Sequence, residues 1–197
     1  AGDVAEAARW ARRSVRLTAA HVRDAKRMLA LMGMPVVQAP AEAEAQCAEL
    51  VRAGVAFGTA SEDMDALTLG STRLLRQLSF GGGGGGGPSG GGGDSSGAVR
   101  AAPLLIELEH VLAGLRLTMD QFIDLCILLG CDYVATVPGI GPVRALRLLR
   151  EHGSLERVLA ALDPHKHPPP QPYPFQEVRA LFRQPAVLSA ADVDLTW

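Results

Sequence analysis

Hydrophobic side chains form two kinds of pattern in the N-terminal part of the chain: helical repeats and short continuous apolar stretches. Helical spacing runs from about Thr18 to Met32 and again from about Ala41 to Ala53, and a glycine ends each stretch, as is usual for helices. A short apolar stretch follows each helix, MPVVQAP after the first and VAFGTA after the second, and both favour β-strands. Strands that alternate with helices predict parallel βαβ units and therefore an α/β fold.

The later part of the chain continues this pattern. LLIELE predicts a further strand, LTMDQFIDLCILLG predicts an amphipathic helix that ends at Gly130, and another helix begins at Pro142, where proline is tolerated. Between the two parts, residues 81–97 have the sequence GGGGGGGPSGGGGDSSG and cannot bury enough apolar surface to become ordered. We interpret this segment as a flexible insertion within one domain.

Composition restricts the class of protein. The 197 residues are 48% hydrophobic and 20% charged, which is ordinary for a globular protein with one sizeable core. No apolar stretch approaches the ~20 residues of a membrane span, and no signal peptide is evident, so we expect an intracellular protein without a membrane partner. The three cysteines form no CxxC pair, and P-loop, GxGxxG and GxSxG motifs are absent. These observations argue against zinc, nucleotide-cofactor and serine-hydrolase sites.

Charge is distributed unevenly along the chain, although the net charge is only −2. One basic series lies near the N-terminus and comprises Arg9, Arg12, Arg13, Arg16, Arg23, Lys26 and Arg27. A second comprises Arg144, Arg147, Arg150 and Arg157. Basic faces beside an acidic centre suit a polyanion that is handled by metal ions, whereas the alternative is two solvated helix faces.

Acidic residues follow the predicted strand ends. Glu42 and Glu44 come after the first strand, Asp63 and Asp65 after the second, and Asp132 directly after the most apolar helix. Ligands of open α/β sheets bind at the carboxyl ends of strands, so the first two pairs should share one edge. Like charges ~5 Å apart repel by roughly 3 kcal/mol at an effective dielectric of 20, and a divalent cation such as Mg²⁺ removes this cost. The alternative is solvated turns, in which Asp is common.

The sequence GIGP, Gly139 to Pro142, permits a second function. Glycines let backbone N–H groups approach a phosphate, and the N-terminus of the following helix favours anions. Arg144 and Arg147 follow and strengthen a nucleic-acid interpretation. A tight turn between two helices is the alternative.

Four motifs occur together and in order: APAEAEAQCAELVRAG, SEDMDALTLG, DQFIDLCILLGCDY and PGIGPVRAL. Together they closely resemble the flap endonuclease branch of the Rad2/XPG structure-specific nuclease family. The resemblance implies a PIN-like (5′ nuclease) α/β fold with a mostly parallel sheet flanked by helices, followed by a helix-two-turn-helix region. It implies a partial nuclease domain over residues 1–130 and a DNA-binding region with a C-terminal extension over residues 131–197, packed as one unit.

The resemblance also implies an activity and its residues. Members cut 5′ flaps and act as 5′-3′ exonucleases in DNA replication and repair, with two Mg²⁺ ions for which Mn²⁺ can substitute. Matched residue by residue, the catalytic and metal-binding carboxylates are Glu42, Glu44, Asp63, Asp65 and Asp132. Glu62 also matches the family pattern but is left outside this set, since a solvated turn explains it equally well.

DNA contacts are implied at two places. Gly139, Ile140, Gly141 and Arg144 correspond to the turn that holds the duplex backbone, with a potassium ion at Gly139–Gly141, and Val143 stands where relatives carry lysine. The basic residues implied at the end of the helical arch that gates the flap are Arg9, Arg12, Arg13 and Arg16.

Relatives begin with a segment that supplies two further aspartates and end with a sliding-clamp motif, and neither is recognisable here. We therefore expect an incomplete chain with little or no cleavage on its own, from a protein of the nucleus, with the mitochondrion as the alternative location. Two other hypotheses remain: a catalytically silent DNA-binding module that keeps the duplex-gripping turn, and an interaction domain with vestigial acids.

Overall fold

The computed structural model describes residues 16–78 and 102–195. The predictions for Arg9, Arg12 and Arg13 and for the insertion at 81–97 lie outside these residues. The chain divides into two compact units, whose described parts are residues 16–38 with 192–195 and residues 39–78 with 102–191. The predicted boundary near residue 130 stays a prediction.

The first unit contains α1, Ala19–Leu31, which confirms the first predicted helix. Its start is set by a capping box: Thr18 Oγ1 accepts from the His21 backbone N–H at 3.3 Å, and His21 Nδ1 accepts from the Thr18 N–H at 3.3 Å. The strand predicted at residues 34–40 is wrong, because this segment runs outside the sheet formed by the described residues. Pro35 and Pro40 have no N–H to donate to a strand ladder.

The second unit contains a small sheet in the order β1-β2-β3, formed by Thr59–Ala60, Arg73–Arg76 and Leu104–Glu107. β1 pairs with β2 in parallel, with Thr59 opposite Leu74. β2 pairs with β3 antiparallel, from Arg73 opposite Glu107 to Arg76 opposite Leu104. The α/β class is confirmed, and the parallel arrangement holds for β1 and β2.

Helices surround this sheet and extend beyond it. In chain order they are α2 Ala43–Arg52, α3 Asp65–Thr68, α4 Leu108–Leu115, α5 Met119–Leu129, α6 Pro142–His152, α7 Leu155–Ala161 and α8 Phe175–Arg183, followed by a 3-10 turn at Ala190–Asp192. The predicted helices α2, α5 and α6 are confirmed. LLIELE forms a strand only as far as Glu107, after which α4 begins. Across the described ranges, none of the helices combines the length and apolar character required to cross a membrane.

The centre of this unit is α5. Ile123, Ile127 and Leu128 are buried there against Leu149 of α6 and neighbouring side chains. Gly130 ends the helix with a φ of +92°, and a Cβ at this position would lie 2.8 Å from the Thr136 nitrogen. Glycine is therefore required at the point where the chain turns toward Asp132.

Candidate functional site

A small recess in the second unit brings together all five predicted carboxylates. Its lining residues are Glu42, Glu44, Asp63, Asp65, Leu69, Asp132, Tyr133 and Phe182. Its volume of about 20 Å³ is enough for one species the size of a water molecule. A larger cleft of about 620 Å³ lies along β3 and α4 and contains none of these acids. Convergent carboxylates make the small recess the candidate site.

Three segments of backbone place the acids, and the third carries Asp132 just after Gly130 ends α5. Glu42 and Glu44 flank the start of α2, where the helix dipole stabilises negative charge. Asp63 follows β1 in a tight turn, in which its N–H donates to Ser61 Oγ at 3.0 Å and the Asp65 N–H donates to Asp63 Oδ1 at 2.9 Å. These bonds direct the acidic turn toward the end of the strand.

Two hydroxyl groups orient the glutamates, and sequence reasoning did not identify either. The Tyr133 hydroxyl donates to Glu42 Oε1 at 2.6 Å, and Ser61 Oγ donates to Glu44 Oε1 at 3.1 Å. Phe182 packs edge-on against the Tyr133 ring, with centroids 5.8 Å apart. The signals for Tyr133 in the sequence are its position next to Asp132 and its place at the end of the motif DQFIDLCILLGCDY.

The lining of the recess concentrates negative charge. Of the described residues, no lysine, arginine or histidine contributes to its lining. Burial raises the pKa of Asp65, and the charges of Asp63, Asp132, Glu42 and Glu44 raise it further. The pKa of Tyr133 is also raised, first by its hydrogen bond to Glu42 and then by burial. Both shifts indicate a site that favours a cation.

The donor set fits a hard divalent cation, whose preferred ligands are carboxylate oxygens. Within residues 16–78 and 102–195, however, no three Asp, Glu, His or Cys side chains are grouped closely enough to hold one ion directly. Mg²⁺ usually keeps several waters and binds through one or two carboxylates. The recess therefore fits an ion bound partly through water.

Glu62 lies outside the recess. Its Oε2 is 3.5 Å from Arg76 Nη2, and its Oε1 accepts from the Gln77 N–H at 2.7 Å. The local ion pair with Arg76 thus explains why an acid is present at Glu62.

The GIGP turn forms directly before α6. Gly139 has a φ of +73°, Gly141 caps the helix and Pro142 is its first residue. Ile140 is buried, and its N–H donates to the Val137 carbonyl at 3.2 Å, so this residue shapes the turn. Val143 is 86% exposed.

Two side chains contact the turn. Arg144 Nη1 donates to the Gly139 carbonyl at 3.4 Å, and His167 Nδ1 lies 2.9 Å from the Pro138 carbonyl oxygen. His167 was not identified from the sequence, because it lies far along the chain from the turn. Arg16, the predicted arch residue within the described range, is exposed in the first unit.

Comparison with known proteins identifies the family. The XPG I-region matches residues 33–132, which is half of the chain and includes all five carboxylates. The chain belongs to the XPG I-region family. Flap endonuclease 1 of Caenorhabditis briggsae is 46% identical over the whole chain, which spans 47% of that relative.

Solved structures agree with this XPG I-region assignment. Flap endonuclease-1 from Methanococcus jannaschii matches 97% of the chain with a TM-score of 0.69 and 32% identity, and the chain covers 53% of it. The Holliday junction-resolving enzyme GEN1, in complex with product DNA and Mg²⁺, matches 89% of the chain with a TM-score of 0.65 and 26% identity, and the chain covers 45% of it. The 5′ nuclease fold is thus confirmed. The chain spans about half the length of these relatives.

Proposed function

We propose that the protein to which this chain belongs is a structure-specific nuclease that hydrolyses phosphodiester bonds at 5′ flaps in DNA. One observation carries this proposal: five carboxylates from three separate segments line one recess, to which the described residues contribute no basic side chain. The similarity to flap endonucleases and the GEN1 complex with product DNA support DNA as the substrate.

Mg²⁺ is the proposed metal, with Mn²⁺ as a substitute, and Glu42, Glu44, Asp63, Asp65 and Asp132 would hold it. Two such ions can stabilise the attacking and leaving oxygens of a phosphoryl displacement. The chain's own residues prepare the site. Tyr133 and Ser61 each donate to one oxygen of a glutamate, and Leu69 and Phe182 form the apolar part of the lining.

The GIGP turn is the proposed contact with duplex DNA. The α6 N-terminus favours a phosphate, and Arg144 lies in its first turn. The proposed location is the nucleus, where DNA is replicated.

A potassium ion at Gly139–Gly141 is a further proposal. The carbonyl oxygens of Pro138 and Gly139 accept from His167 and Arg144, and each carbonyl oxygen has a second lone pair.

Cleavage of a labelled 5′-flap substrate tests the proposal. We expect little activity from the 197-residue chain in Mg²⁺ because, among the residues that the structure describes, no three ligand side chains are grouped closely enough to hold one ion directly. Fusion to the N-terminal segment of the Caenorhabditis relative should produce chelator-sensitive cleavage. Asp63→Asn in that fusion should abolish cleavage, whereas Glu62→Gln, outside the recess, should not. A fusion that folds but does not cut would contradict the proposal.

A second candidate is a DNA-binding module without catalysis, which the absence of three closely grouped ligands in the described residues favours. Binding of the flap substrate by fluorescence anisotropy separates the two. Arg144→Ala should weaken binding and lower the salt slope by about one unit, since one phosphate contact is lost. Arg157→Ala, away from the turn, is the control. Binding without cleavage by the fusion would establish the module.

A further inference from the structure

We propose that Gln46 is a positioning residue for the candidate metal site, because it ties the acidic start of α2 to the backbone of Leu188 in the C-terminal segment, residues 184–189. The C-terminal segment supplies none of the five acids, yet it holds the backbone of Glu42 and Glu44 in place and so strengthens binding of a divalent cation. The inference rests on the proposed function of the recess and names a further part of the chain on which that function depends.

Gln46 makes two hydrogen bonds to one distant residue. Its Nε2 donates to the Leu188 carbonyl at 2.9 Å, and its Oε1 accepts from the Leu188 N–H at 2.7 Å. The two residues are 142 positions apart, and Gln46 is only 2% exposed. An amide side chain has both donor and acceptor groups, so it satisfies both backbone groups of Leu188 at once. Loss of this amide therefore releases Leu188 from α2.

The same residue closes the helical turn that carries both glutamates. The Gln46 N–H donates to the Glu42 carbonyl at 3.2 Å, and Glu44 lies between them in the sequence. Glu42 is the N-cap residue of α2, and its side chain makes no capping hydrogen bond. Helix ends fray, and a missing cap favours fraying. A fixed Gln46 therefore restricts movement of the backbone that carries Glu42 and Glu44.

Packing near Gln46 restrains α2 only weakly along its axis. The core contact of α2 on either side of Gln46 comes from Ala45 and Ala48, which are both fully buried. An alanine side chain is a single methyl group, so these residues form low ridges that resist sliding poorly. The directional hydrogen bonds of Gln46 supply the missing restraint.

The C-terminal segment is itself anchored. The Gln184 N–H donates to the Ala180 carbonyl of α8 at 2.9 Å, and Val187 packs against the core around α5. The Leu188 side chain is 40% exposed, and Leu188 contacts Gln46 through its backbone. The groups that Gln46 binds thus belong to a segment that is fixed against the rest of the second unit.

Metal affinity provides the first test. Loss of a group that orients metal ligands weakens metal binding by roughly 10–100-fold. Gln46→Met keeps the length of the side chain but makes neither hydrogen bond. We expect Mn²⁺ to bind Gln46→Met about tenfold more weakly than the unmodified chain, as measured by titration calorimetry.

Gln121→Met is the matched control. The Gln121 side chain also bonds two backbone groups, since its Nε2 donates to the Gly153 carbonyl at 3.3 Å and its Oε1 accepts from the Thr118 N–H at 3.0 Å. Gln121 is not part of the recess lining. Both variants should lower the Tm, and only Gln46→Met should lower the affinity for Mn²⁺. Equal Mn²⁺ affinity of Gln46→Met and the unmodified chain would overturn the proposal.

Hydrogen exchange gives a second test that needs no variant. If the contact with Leu188 strengthens metal binding, metal binding must strengthen that contact by the same factor. Exchange of the Leu188 N–H, followed by NMR, should therefore slow about tenfold in saturating Mg²⁺ relative to chelator. The Thr118 N–H is the matched control, because it also donates to a glutamine Oε1. An equal rate for the Leu188 N–H in both conditions would overturn the proposal even if Gln46→Met does not fold.

Failure of the proposed function gives a different result. If the recess binds no divalent cation, calorimetry will detect no binding of Mn²⁺ by the unmodified chain, and the proposed function fails together with this inference. If the recess binds Mn²⁺ but Gln46 does not position its ligands, the unmodified chain and Gln46→Met will bind Mn²⁺ equally well, and only this inference fails.

Discussion

Two groups of charged side chains in the second unit have opposite electrostatic character. The first group is Asp124, Glu156 and Arg179, which link α5, α7 and α8. The second is the carboxylate recess. The first group contains its own cation, and the second does not among the described residues. Both groups contain acidic side chains. Only the first contains an arginine among the described residues, and this difference distinguishes a structural cluster from a candidate site.

The first group is fully paired. Asp124 is 4% exposed and accepts from Arg179 Nε at 2.7 Å and from the Leu155 N–H at 2.9 Å. Arg179 also donates to both oxygens of Glu156, at 2.6 and 3.1 Å. This arrangement fixes α8, which carries Phe182 into the recess.

The pKa shifts of the two groups have opposite signs. The hydrogen bonds from Arg179 lower the pKa of Glu156 to about 2. Burial and four neighbouring acids raise the pKa of Asp65. A lowered pKa means that folding stabilises the charge, whereas a raised pKa means that folding disfavours it until a cation binds.

Removal of the cation from the paired group should have the largest effect. Arg179→Ala leaves Asp124 buried without its counter-charge, and we expect a loss of about 3–5 kcal/mol in the free energy of unfolding. Urea denaturation measures this loss. Arg183→Ala is the control on the same helix: it breaks an exposed pair with Asp120 and should cost less than about 1 kcal/mol. Equal losses would contradict the comparison.

The contribution of Glu156 should depend on pH. Its pKa is lowered from 4.5 to about 2, so the stabilisation is complete above pH 4.5 and is lost as the pH falls toward 2. Glu156 is 46% exposed, so screening limits its contribution to about 1 kcal/mol. The Tm difference between the unmodified chain and Glu156→Gln should therefore shrink over this window. A difference that stays constant down to pH 2 would mean that the charge contributes nothing.

Neutralisation of an acid in the recess should stabilise the fold. Because the pKa of Asp65 is raised, its ionisation costs stability as the pH rises through that pKa, and Asp65→Asn removes this cost at neutral pH. We expect a gain of about 0.5 kcal/mol after screening, or about 1–2 °C in Tm.

Mg²⁺ should raise the Tm of the unmodified chain more than that of Asp65→Asn, since it supplies the missing charge. Glu62→Gln is the control, because Glu62 pairs with Arg76 outside the recess and its loss should give no gain. Destabilisation by Asp65→Asn in a chelator would contradict the assignment of uncompensated charge.

Tyr133→Phe should have the smallest effect on stability, about 0.5 kcal/mol, because the lost hydrogen bond lies on a side chain that is 37% exposed. Loss of the hydrogen bond that orients Glu42 should nevertheless weaken Mn²⁺ binding by about tenfold, as measured by titration calorimetry. Tyr173→Phe is the control, because that hydroxyl donates to the Ile127 carbonyl at 3.2 Å, away from the recess. Unchanged Mn²⁺ affinity in Tyr133→Phe would show that Glu42 needs no orienting group.

Local signals predicted the helices well. Capping residues and glycines act within a few positions, so the ends of α1, α2 and α5 could be read from the sequence. β2, α3, α4, α7 and α8 were missed because each is short, with at most nine residues, and β2 also depends on a partner distant in the chain, since Leu74 pairs with Thr59. The strand predicted at 34–40 failed because an apolar stretch alone does not provide a pairing partner.

The sequence by itself determined which acids are present and, through its family motifs, which of them belong to the candidate site. Only the tertiary structure determined what surrounds them. Tyr133 reaches Glu42 across 91 positions, and Arg179 reaches Asp124 across 55. In the sequence, Asp124 belongs to an amphipathic helix, and nothing there distinguishes its carboxylate from that of a metal ligand. Whether a charge is compensated depends on distances between side chains, and packing sets those distances.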